Sequence, residues 1–140
     1  RREVYRRVYA LTSAEQLAEL GKELKDRFGP HPTEVQNLLN AVRVRLAAAE
    51  IGFTKVWMGK ASVDIEFPPE TATAFYEAND FQTLMTEISN WKGRNVFLKQ
   101  DDKALKLTVK PSDDDSPIDA AIRLLNELSG RIKEVSTATA

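Results

Sequence analysis

The stretch "FTKVWMGKASVDIEF", residues 53–67, decides the fold class because its hydrophobic pattern alternates, whereas apolar residues before it recur at helical spacing. Two alternating runs flank the dipeptide Gly59-Lys60, whose leading glycine suits the type II′ turn of a β-hairpin. Strand geometry sends every second side chain to the same face. The side chains predicted to face inward are those of Val63, Ile65 and Phe67.

A second hairpin is predicted in "NVFLKQDDKALKLTVK", residues 95–110, with its turn near Asp101 and Asp102. Between the two hairpins, residues 75–91 have helical character. Two hairpins without parallel connections favour a single antiparallel sheet. The residues of the second hairpin predicted to face inward are Leu105, Leu107 and Val109.

Three helices are predicted before the first hairpin, each with its own apolar positions. A capping box starts the second of them, formed either by Thr12 with Glu15 or by Ser13 with Gln16. Gly29 ends this helix. The apolar positions are Val4, Tyr5, Val8 and Tyr9 in the first helix, Leu17, Leu20, Leu24 and Phe28 in the second, and Val35, Leu38, Leu39, Val42, Leu46 and Ala49 in the third.

Gly52 is the predicted stop of the third helix, and a last helix is predicted after the capping residue Ser116, with Pro117 in its first position. The sequence therefore predicts an α+β fold, with N-terminal helices packed on a small antiparallel sheet of two hairpins, a further helix between the hairpins and a C-terminal helix. We assign residues 1–135 to one domain and expect residues 136–140 to form a frayed tail. The apolar stripe of the last helix consists of Ile118, Ala121, Ile122, Leu125, Leu128 and Ile132.

The composition is that of an ordinary globular protein, since 42% of the 140 residues are hydrophobic, 29% are charged and the net charge is −1. A near-neutral chain has no general electrostatic attraction for nucleic acids or membranes. The chain has no cysteine, which fits a reducing compartment, and no signal peptide or membrane-spanning stretch. We therefore expect a cytoplasmic monomer, and because the chain does not start with Met we expect a piece of a longer polypeptide.

Residues suited to catalysis are scarce in this chain. No glycine-rich phosphate-binding loop is present, so nucleotide hydrolysis is not assigned to it. His31, the only histidine, lies between two prolines, where it lacks the partners of a catalytic triad or of a histidine metal site. Three consecutive aspartates at residues 113–115 lack the spacing of an EF-hand and are interpreted as a solvated loop. We predict no enzymatic activity, no cofactor and no metal.

Aromatic and basic residues between positions 57 and 110 have the composition of a surface that binds single-stranded nucleic acid. A structural interpretation competes with this one, in which the tryptophans lie in the core and the lysines protect exposed strands from aggregation. We favour the structural interpretation and expect no direct DNA binding, with a nucleic-acid-binding module that uses residues 91–110 as the second hypothesis. The residues concerned are Trp57, Trp91, Lys92, Arg94, Lys99, Lys103, Lys106 and Lys110.

The second predicted helix carries three charged residues just before its end, Glu23, Asp26 and Arg27, here called the charged triplet. At 100° per residue, both carboxylates point away from the apolar stripe, while Arg27 lies at its flank. Glu23 precedes Arg27 by four residues, the favourable order for an ion pair within one helix. An ion pair and a docking site for another protein both explain the triplet, and helical spacing alone favours the ion pair.

Residues 5–56 resemble the C-terminal domain of transcription-repair coupling factors, the bacterial motors that displace stalled RNA polymerase at DNA damage. The resemblance rests on a short helix with a Tyr-Arg-Arg motif, a capped helix rich in Leu and Glu, the motif "ELKDRFGP" and the segment "LLNAVRVRLAAAEIG". After Pro68 the similarity is looser. Lys25 stands where the family usually has an apolar residue, which narrows the buried face expected for this helix.

The resemblance implies a noncatalytic regulatory domain at the C-terminus of a longer protein that also contains an excision-repair-like N-terminal module, an RNA polymerase-binding domain and a DNA translocase. It implies that the domain docks on the N-terminal, UvrB-like module, masks the surface that recruits UvrA, and restrains the translocase until RNA polymerase binds. The docking positions of the family correspond to Glu23, Asp26 and Arg27. The two carboxylates would pair with arginines of the partner module, and Arg27 would orient Glu23 and contact the partner.

Overall fold

The computed structural model describes residues 2–91, 95–102, 104–111 and 116–139. Three helices precede the first hairpin, two short helices connect it to the second hairpin, and one long helix follows. The helices are α1 (Arg2–Tyr9), α2 (Ala14–Phe28), α3 (Thr33–Ile51), α4 (Thr73–Glu77), α5 (Asn79–Ser89) and α6 (Pro117–Thr139). The strands are β1 (Lys55–Met58), β2 (Val63–Glu66), β3 (Val96–Gln100) and β4 (Leu105–Val109).

The strands form one antiparallel sheet in the order β1-β2-β4-β3. The hairpins meet where β2 pairs with β4, so that Ile65 lies opposite both Val56 and Leu107. The second hairpin turns as predicted, and the Asp101 carboxylate accepts a 2.9 Å hydrogen bond from the Ala104 amide. The predicted α+β class is confirmed. The predicted inward orientation is also confirmed for five strand residues, each at most 1% exposed: Val63, Ile65, Phe67, Leu107 and Val109.

The turn of the first hairpin is not the predicted type II′ turn. Lys60 and Ala61 form its tip, and the Gly59 amide donates a 2.8 Å hydrogen bond to the Ser62 carbonyl. Gly59 does not have the positive φ that the first central residue of a type II′ turn requires. The prediction placed the turn one residue too early, because the alternating pattern on either side does not fix the loop length.

The main core lies between one face of the sheet and the helices α3, α5 and α6. The stripe predicted for α6 is confirmed, with Ile118 and Ile132 at its partly buried ends. Ser116 caps this helix as expected, since its Oγ accepts a 3.1 Å hydrogen bond from the Asp119 amide. The helix continues through Thr139, and residues 136–139 are therefore helical in the segment where the sequence predicts a frayed tail.

A smaller group of buried residues, here called the N-terminal cluster, joins α1 and α2 to α3. It consists of Val8, Leu17, Leu20, Leu24, Val42 and Leu46. The helix α3 is therefore buried on two sides, because Val42 and Leu46 face this cluster while Val44 and Ala48 face the main core. Among the described residues of the three N-terminal helices, α3 contributes buried side chains to the main core, whereas α1 and α2 contribute none. Thus α1 and α2 are connected to the sheet through α3.

Four positions predicted to be apolar contacts are exposed, namely Tyr5 and Tyr9 of α1, Phe28 of α2 and Ala49 of α3. A single stripe describes a helix with one buried side, and α3 has two roughly opposite buried sides. Phe28 is the last residue of α2, one turn beyond Leu24, and 67% of it is exposed. The N-terminal cluster thus ends at Leu24, and the prediction for Phe28 is wrong.

The single helix predicted between the hairpins is two helices, α4 and α5, separated by the extended backbone of Ala78. Phe75, Tyr76 and Phe81 hold the two helices together through edge-to-face contacts with ring centroids 5.0 to 5.6 Å apart. Gly52 ends α3 as predicted, with φ 123°, and a Cβ atom at this position would lie 2.7 Å from the Phe75 ring. The end of α3 and α4 therefore pack in direct contact.

Candidate functional site

The charged triplet lies in the last two turns of α2, and local sequence caps both ends of this helix. The Gln16 amide donates a 3.2 Å hydrogen bond to Ser13 Oγ, and the Thr12 amide donates a 2.9 Å bond to Gln16 Oε1. At the other end Gly29 has φ 79°, and its amide donates a 2.8 Å bond to the Lys25 carbonyl. Of the two predicted capping boxes, the pair of Ser13 and Gln16 supplies the cap, but the Gln16 side chain accepts its hydrogen bond from Thr12 and not from the Ser13 amide.

Glu23 forms its ion pair with Arg7 of α1, whose guanidinium donates a hydrogen bond to the Glu23 carboxylate. Both side chains are exposed to a similar extent, 43% for Arg7 and 42% for Glu23. The hydrogen bond from Arg7 is the main cause that lowers the pKa of Glu23 below its ordinary value of 4.5, and the positive charges of Arg7 and Arg27 act in the same direction. The carboxylate is thus fixed in its ionised form by a residue of another helix.

The other two residues of the triplet face solvent. Asp26 is exposed, and within the part of the chain that the structure describes it has no ion-pair partner. Arg27 is also exposed, and its guanidinium carbon lies 5.2 Å from the centre of the Phe28 ring. One carboxylate and one guanidinium are therefore available to pair with charges on another surface, the guanidinium held over an aromatic ring.

An apolar groove of about 430 Å³ lies beside the triplet, at the junction of α1, the end of α2 and the start of α3. We call it the Phe28 groove. Phe28 and Tyr5 are the largest exposed aromatic side chains on its rim, 67% and 42% exposed. His31, the only histidine, lines the same groove. The lining residues also include Val4, Leu24, Pro32, Glu34, Val35 and Leu38.

The structure brings the three predicted residues to one end of α2 but does not form the ion pair that their spacing favours. Glu23 pairs with Arg7, and Arg27 lies over Phe28 instead. Sequence reasoning missed Arg7, although the Tyr-Arg-Arg motif that contains it was visible as part of the family resemblance. It also missed the exposure of Phe28, because helical periodicity places this residue with the buried leucines.

The residues of the nucleic-acid hypothesis separate into three groups. Trp91 packs partly buried against the main core, as the structural interpretation predicts, whereas Trp57 is 55% exposed and contradicts it. Lys99 and Lys110 are exposed on the strand side of the molecule, and Lys106 is half-buried there. Lys92, Arg94 and Lys103 lie outside the described residues, as do the aspartates of residues 113–115.

The complete fold is similar to a solved structure described as the crystal structure of the C-terminal domain of transcription-repair coupling factor. The similarity covers 95% of this chain and 80% of that chain, with a TM-score of 0.66 and 20% sequence identity. At this level of identity the similarity establishes the fold. The molecule therefore has the α+β architecture of coupling-factor C-terminal domains.

A family model described as the TRCF domain matches residues 1–78, more than half of the chain, and the chain therefore belongs to the TRCF domain family. The transcription-repair-coupling factor of Bacillus subtilis (strain 168) is 26% identical over 139 residues, which are 98% of this chain and 11% of that protein. The factor of Staphylococcus haemolyticus (strain JCSC1435) is 35% identical over 54 residues, 39% of this chain and 5% of that protein. The chain thus spans about a tenth of the length of the Bacillus relative.

Across the described ranges, no helix combines the length and the apolar character needed to cross a lipid bilayer. Within the same ranges, no group of three or more His, Asp or Glu side chains is arranged to hold a metal ion. The charged triplet and the Phe28 groove lie side by side and together form the candidate functional site.

Proposed function

We propose that the charged triplet and the Phe28 groove form a docking surface through which this domain binds another module of the same, longer protein. The observation that carries the proposal is the position of Asp26, Arg27 and Phe28, which are exposed side by side at the end of a rigidly capped helix. Membership of the TRCF domain family supports it, because the relatives are transcription-repair coupling factors of which this chain matches one small part.

The partner in this proposal is the N-terminal excision-repair-like module, the UvrB-like part of a coupling factor. Docking there masks the surface that recruits UvrA and restrains the DNA translocase until RNA polymerase binds. The domain itself is a noncatalytic, monomeric regulator in the bacterial cytoplasm. The triplet supplies two negative charges and one positive charge, so the complementary partner surface carries arginines facing Glu23 and Asp26.

The three charges have different roles in this docking. Asp26 and Arg27 pair directly with partner charges, because no ion pair within the described residues has to be broken first. Glu23 contacts the partner while Arg7 holds it, so that an incoming arginine shares the carboxylate with Arg7. Arg7 is therefore a positioning residue, the role that the family resemblance assigns to Arg27.

The direct test is a calorimetric titration of this 140-residue chain with the separately produced N-terminal module of the same protein. We expect saturable binding, and Asp26→Ala weakens it at least about thirtyfold because a partner arginine is left unpaired in the interface. Glu77→Ala, which removes an exposed carboxylate from α4, leaves the dissociation constant unchanged. Equal affinities for the Asp26→Ala and wild-type chains would refute the assignment of this surface.

A further inference from the structure

The face of the sheet opposite the main core, here called the outer face, carries two aromatic side chains in one row across all four strands. The row runs from Trp57 on β1 through Asp64 and Thr108 to Phe97 on β3, each residue directly opposite the next. Trp57 is 55% exposed and Phe97 is 44% exposed. An aromatic ring at each edge of one sheet face requires an explanation other than packing in the core.

The middle of this row is rigid. Thr108 is 2% exposed, and its hydroxyl donates a 2.7 Å hydrogen bond to Asp64 Oδ1. The neighbouring strands hold the two edge positions about three strand spacings apart, which is about 14 Å. The rings of Trp57 and Phe97 are therefore too far apart to enclose one planar group between them, but each can support a separate one.

Lysines surround these rings on the same face. The next row places Lys55 opposite Glu66 on β2, Glu66 opposite Lys106 on β4, and Lys106 opposite Lys99 on β3. The nitrogen of Lys110 lies 5.4 Å from the centre of the Phe97 ring. Among the described residues, four lysines against the three carboxylates of Asp64, Glu66 and Asp101 leave this face with a small excess of positive charge, in a chain whose net charge is −1.

The pair Lys99 and Lys106 is unfavourable by itself, because like charges directly opposite each other on adjacent strands repel. Asp101 relieves this only in part, since its Oδ2 lies 3.9 Å from the Lys106 nitrogen. A bound anion placed between the two ammonium groups removes the repulsion. The arrangement thus favours a ligand that combines regularly spaced anions with planar apolar groups.

We propose that the outer face binds single-stranded nucleic acid, with one base stacked on Trp57, another on Phe97, and the phosphates between them contacting Lys99, Lys106 and Lys110. Base stacking on exposed aromatic rings beside a basic groove is the general mode of sequence-independent single-strand binding. The near-neutral composition of the whole chain led us to expect no DNA binding, but the positive charge on this face is local. This proposal is independent of the docking surface on α2.

An acidic peptide is the main alternative ligand for such a face. Carboxylates would satisfy the lysines equally well, but Asp and Glu side chains offer no aromatic surface to stack on two exposed rings about 14 Å apart. Nucleic acid satisfies both features of the face with one repeating unit, a base and a phosphate. Double-stranded DNA satisfies the charges alone, because its bases are stacked on each other and cannot lie on the rings.

The test measures fluorescence anisotropy of a labelled twelve-nucleotide oligothymidylate titrated with the 140-residue chain at several salt concentrations. Duplex DNA of the same length and poly-glutamate serve as competitors. We expect saturable binding that weakens with salt, with a slope of log Kd against log salt of about 2 for three phosphate contacts. We expect the single strand to bind at least about fivefold more tightly than the duplex, because stacking contributes only for unpaired bases.

Trp57→Ala is expected to weaken binding about tenfold, while Trp57→Phe, which keeps a stacking ring, stays within about threefold of wild type. Lys99→Ala combined with Lys106→Ala lowers the salt slope by about 1.4, whereas the control pair Lys22→Ala and Lys25→Ala, exposed lysines of α2, does not change it. Circular dichroism establishes that each variant is folded, and Phe97→Ala replaces Trp57→Ala if the latter does not fold.

Three results would overturn the proposal. One is the absence of saturable binding at low salt, and another is equal binding by wild type, Trp57→Ala and Phe97→Ala. The third is tighter competition by poly-glutamate or by the duplex than by the single strand, which assigns the face to an acidic protein segment or to charge alone. The variant Asp26→Ala should bind the oligonucleotide like wild type. The experiment can therefore refute the nucleic-acid proposal without refuting the proposed docking surface on α2, and the reverse also holds.

Discussion

The guanidinium of Arg7 on α1 donates a hydrogen bond to the carboxylate of Glu23 on α2, which connects two helices across sixteen positions of the chain. Arg27 follows Glu23 by four residues but does not pair with the Glu23 carboxylate. Its guanidinium lies over the Phe28 ring instead. The preferred partner of Glu23 is therefore set by how α1 packs on α2. This contact holds one member of the proposed docking surface in an ionised, oriented state.

The first prediction concerns the pH dependence of this ion pair. Because the pKa of Glu23 is lowered in the folded protein, the ion pair contributes fully to stability above the ordinary carboxyl value of 4.5. The contribution is lost as pH falls through the lower pKa of the folded state. Arg7→Gln should therefore lower Tm by roughly 1–3 °C at neutral pH, and the difference should disappear once the pH is well below the lowered pKa of Glu23.

Thermal melts followed by circular dichroism across this pH range measure the effect. The matched control is Arg6→Gln, since Arg6 is exposed on the same helix and is not the partner of Glu23. It should leave Tm nearly unchanged at every pH. A difference between Arg7→Gln and wild type that is the same at neutral and at acidic pH would show that Arg7 does not act through the Glu23 carboxylate.

The second prediction separates Phe28 from the buried leucines of α2. Leu24 is 5% exposed and Phe28 is 67% exposed. Leu24→Ala should lower the free energy of unfolding by about 2–4 kcal/mol because it leaves a cavity in the N-terminal cluster. Phe28→Ala should change it by about 0.5 kcal/mol or less. Urea denaturation of the two variants decides this, and similar large losses would mean that Phe28 is buried in solution.

The third prediction concerns the contact between α3 and α4. Gly52 has φ 123°, and an added Cβ would lie 2.7 Å from Phe75 Cε1. Gly52→Ala should therefore destabilise the fold by about 1–3 kcal/mol. Gly130→Ala is the control, because Gly130 is inside α6 and the added Cβ has no atom within 4 Å apart from its chain neighbours and its own helical backbone, so it should stabilise by about 0.5–1 kcal/mol. Urea midpoints that shift equally for both variants would contradict this account.

Elements with one buried face were predictable from the sequence. Val63, Ile65 and Phe67 alternate in β2, and Ala121, Leu125 and Leu128 recur at helical spacing in α6, because each element buries a single side. The boundary at Gly52 was also predictable. Such a pattern is visible in a short stretch of sequence, because it requires only that one side of the element face a hydrophobic core.

Features that depend on which helices and strands pack against each other were not predictable from the sequence. Val44 and Ala48 are buried because the main core covers the second side of α3, and no single stripe indicates this. Phe28 is exposed on the rim of the Phe28 groove, one turn beyond Leu24, the last buried leucine of its helix. The pairing of Glu23 with Arg7 follows from the packing of α1 on α2, whereas sequence spacing favoured Arg27. Candidate site residues were thus identifiable by resemblance, but their partners required the structure.

The central claim is that the end of α2 restrains the longer protein by docking. Its most direct test is the full-length protein carrying Glu23→Ala together with Asp26→Ala, compared with a control carrying Glu77→Ala together with Glu127→Ala, two exposed carboxylates on α4 and α6. Steady-state ATP hydrolysis and UvrA binding are measured without RNA polymerase. Thermal melts of the corresponding 140-residue chains show whether each variant is folded.

We predict that the Glu23 and Asp26 variant hydrolyses ATP and binds UvrA several-fold better than wild type, because the loss of two charge-assisted contacts releases the docked domain. The Glu77 and Glu127 control should behave like wild type in both assays. If the Glu23 and Asp26 variant is folded and its ATP hydrolysis and UvrA binding both stay at the wild-type level, the charged triplet is not the docking surface.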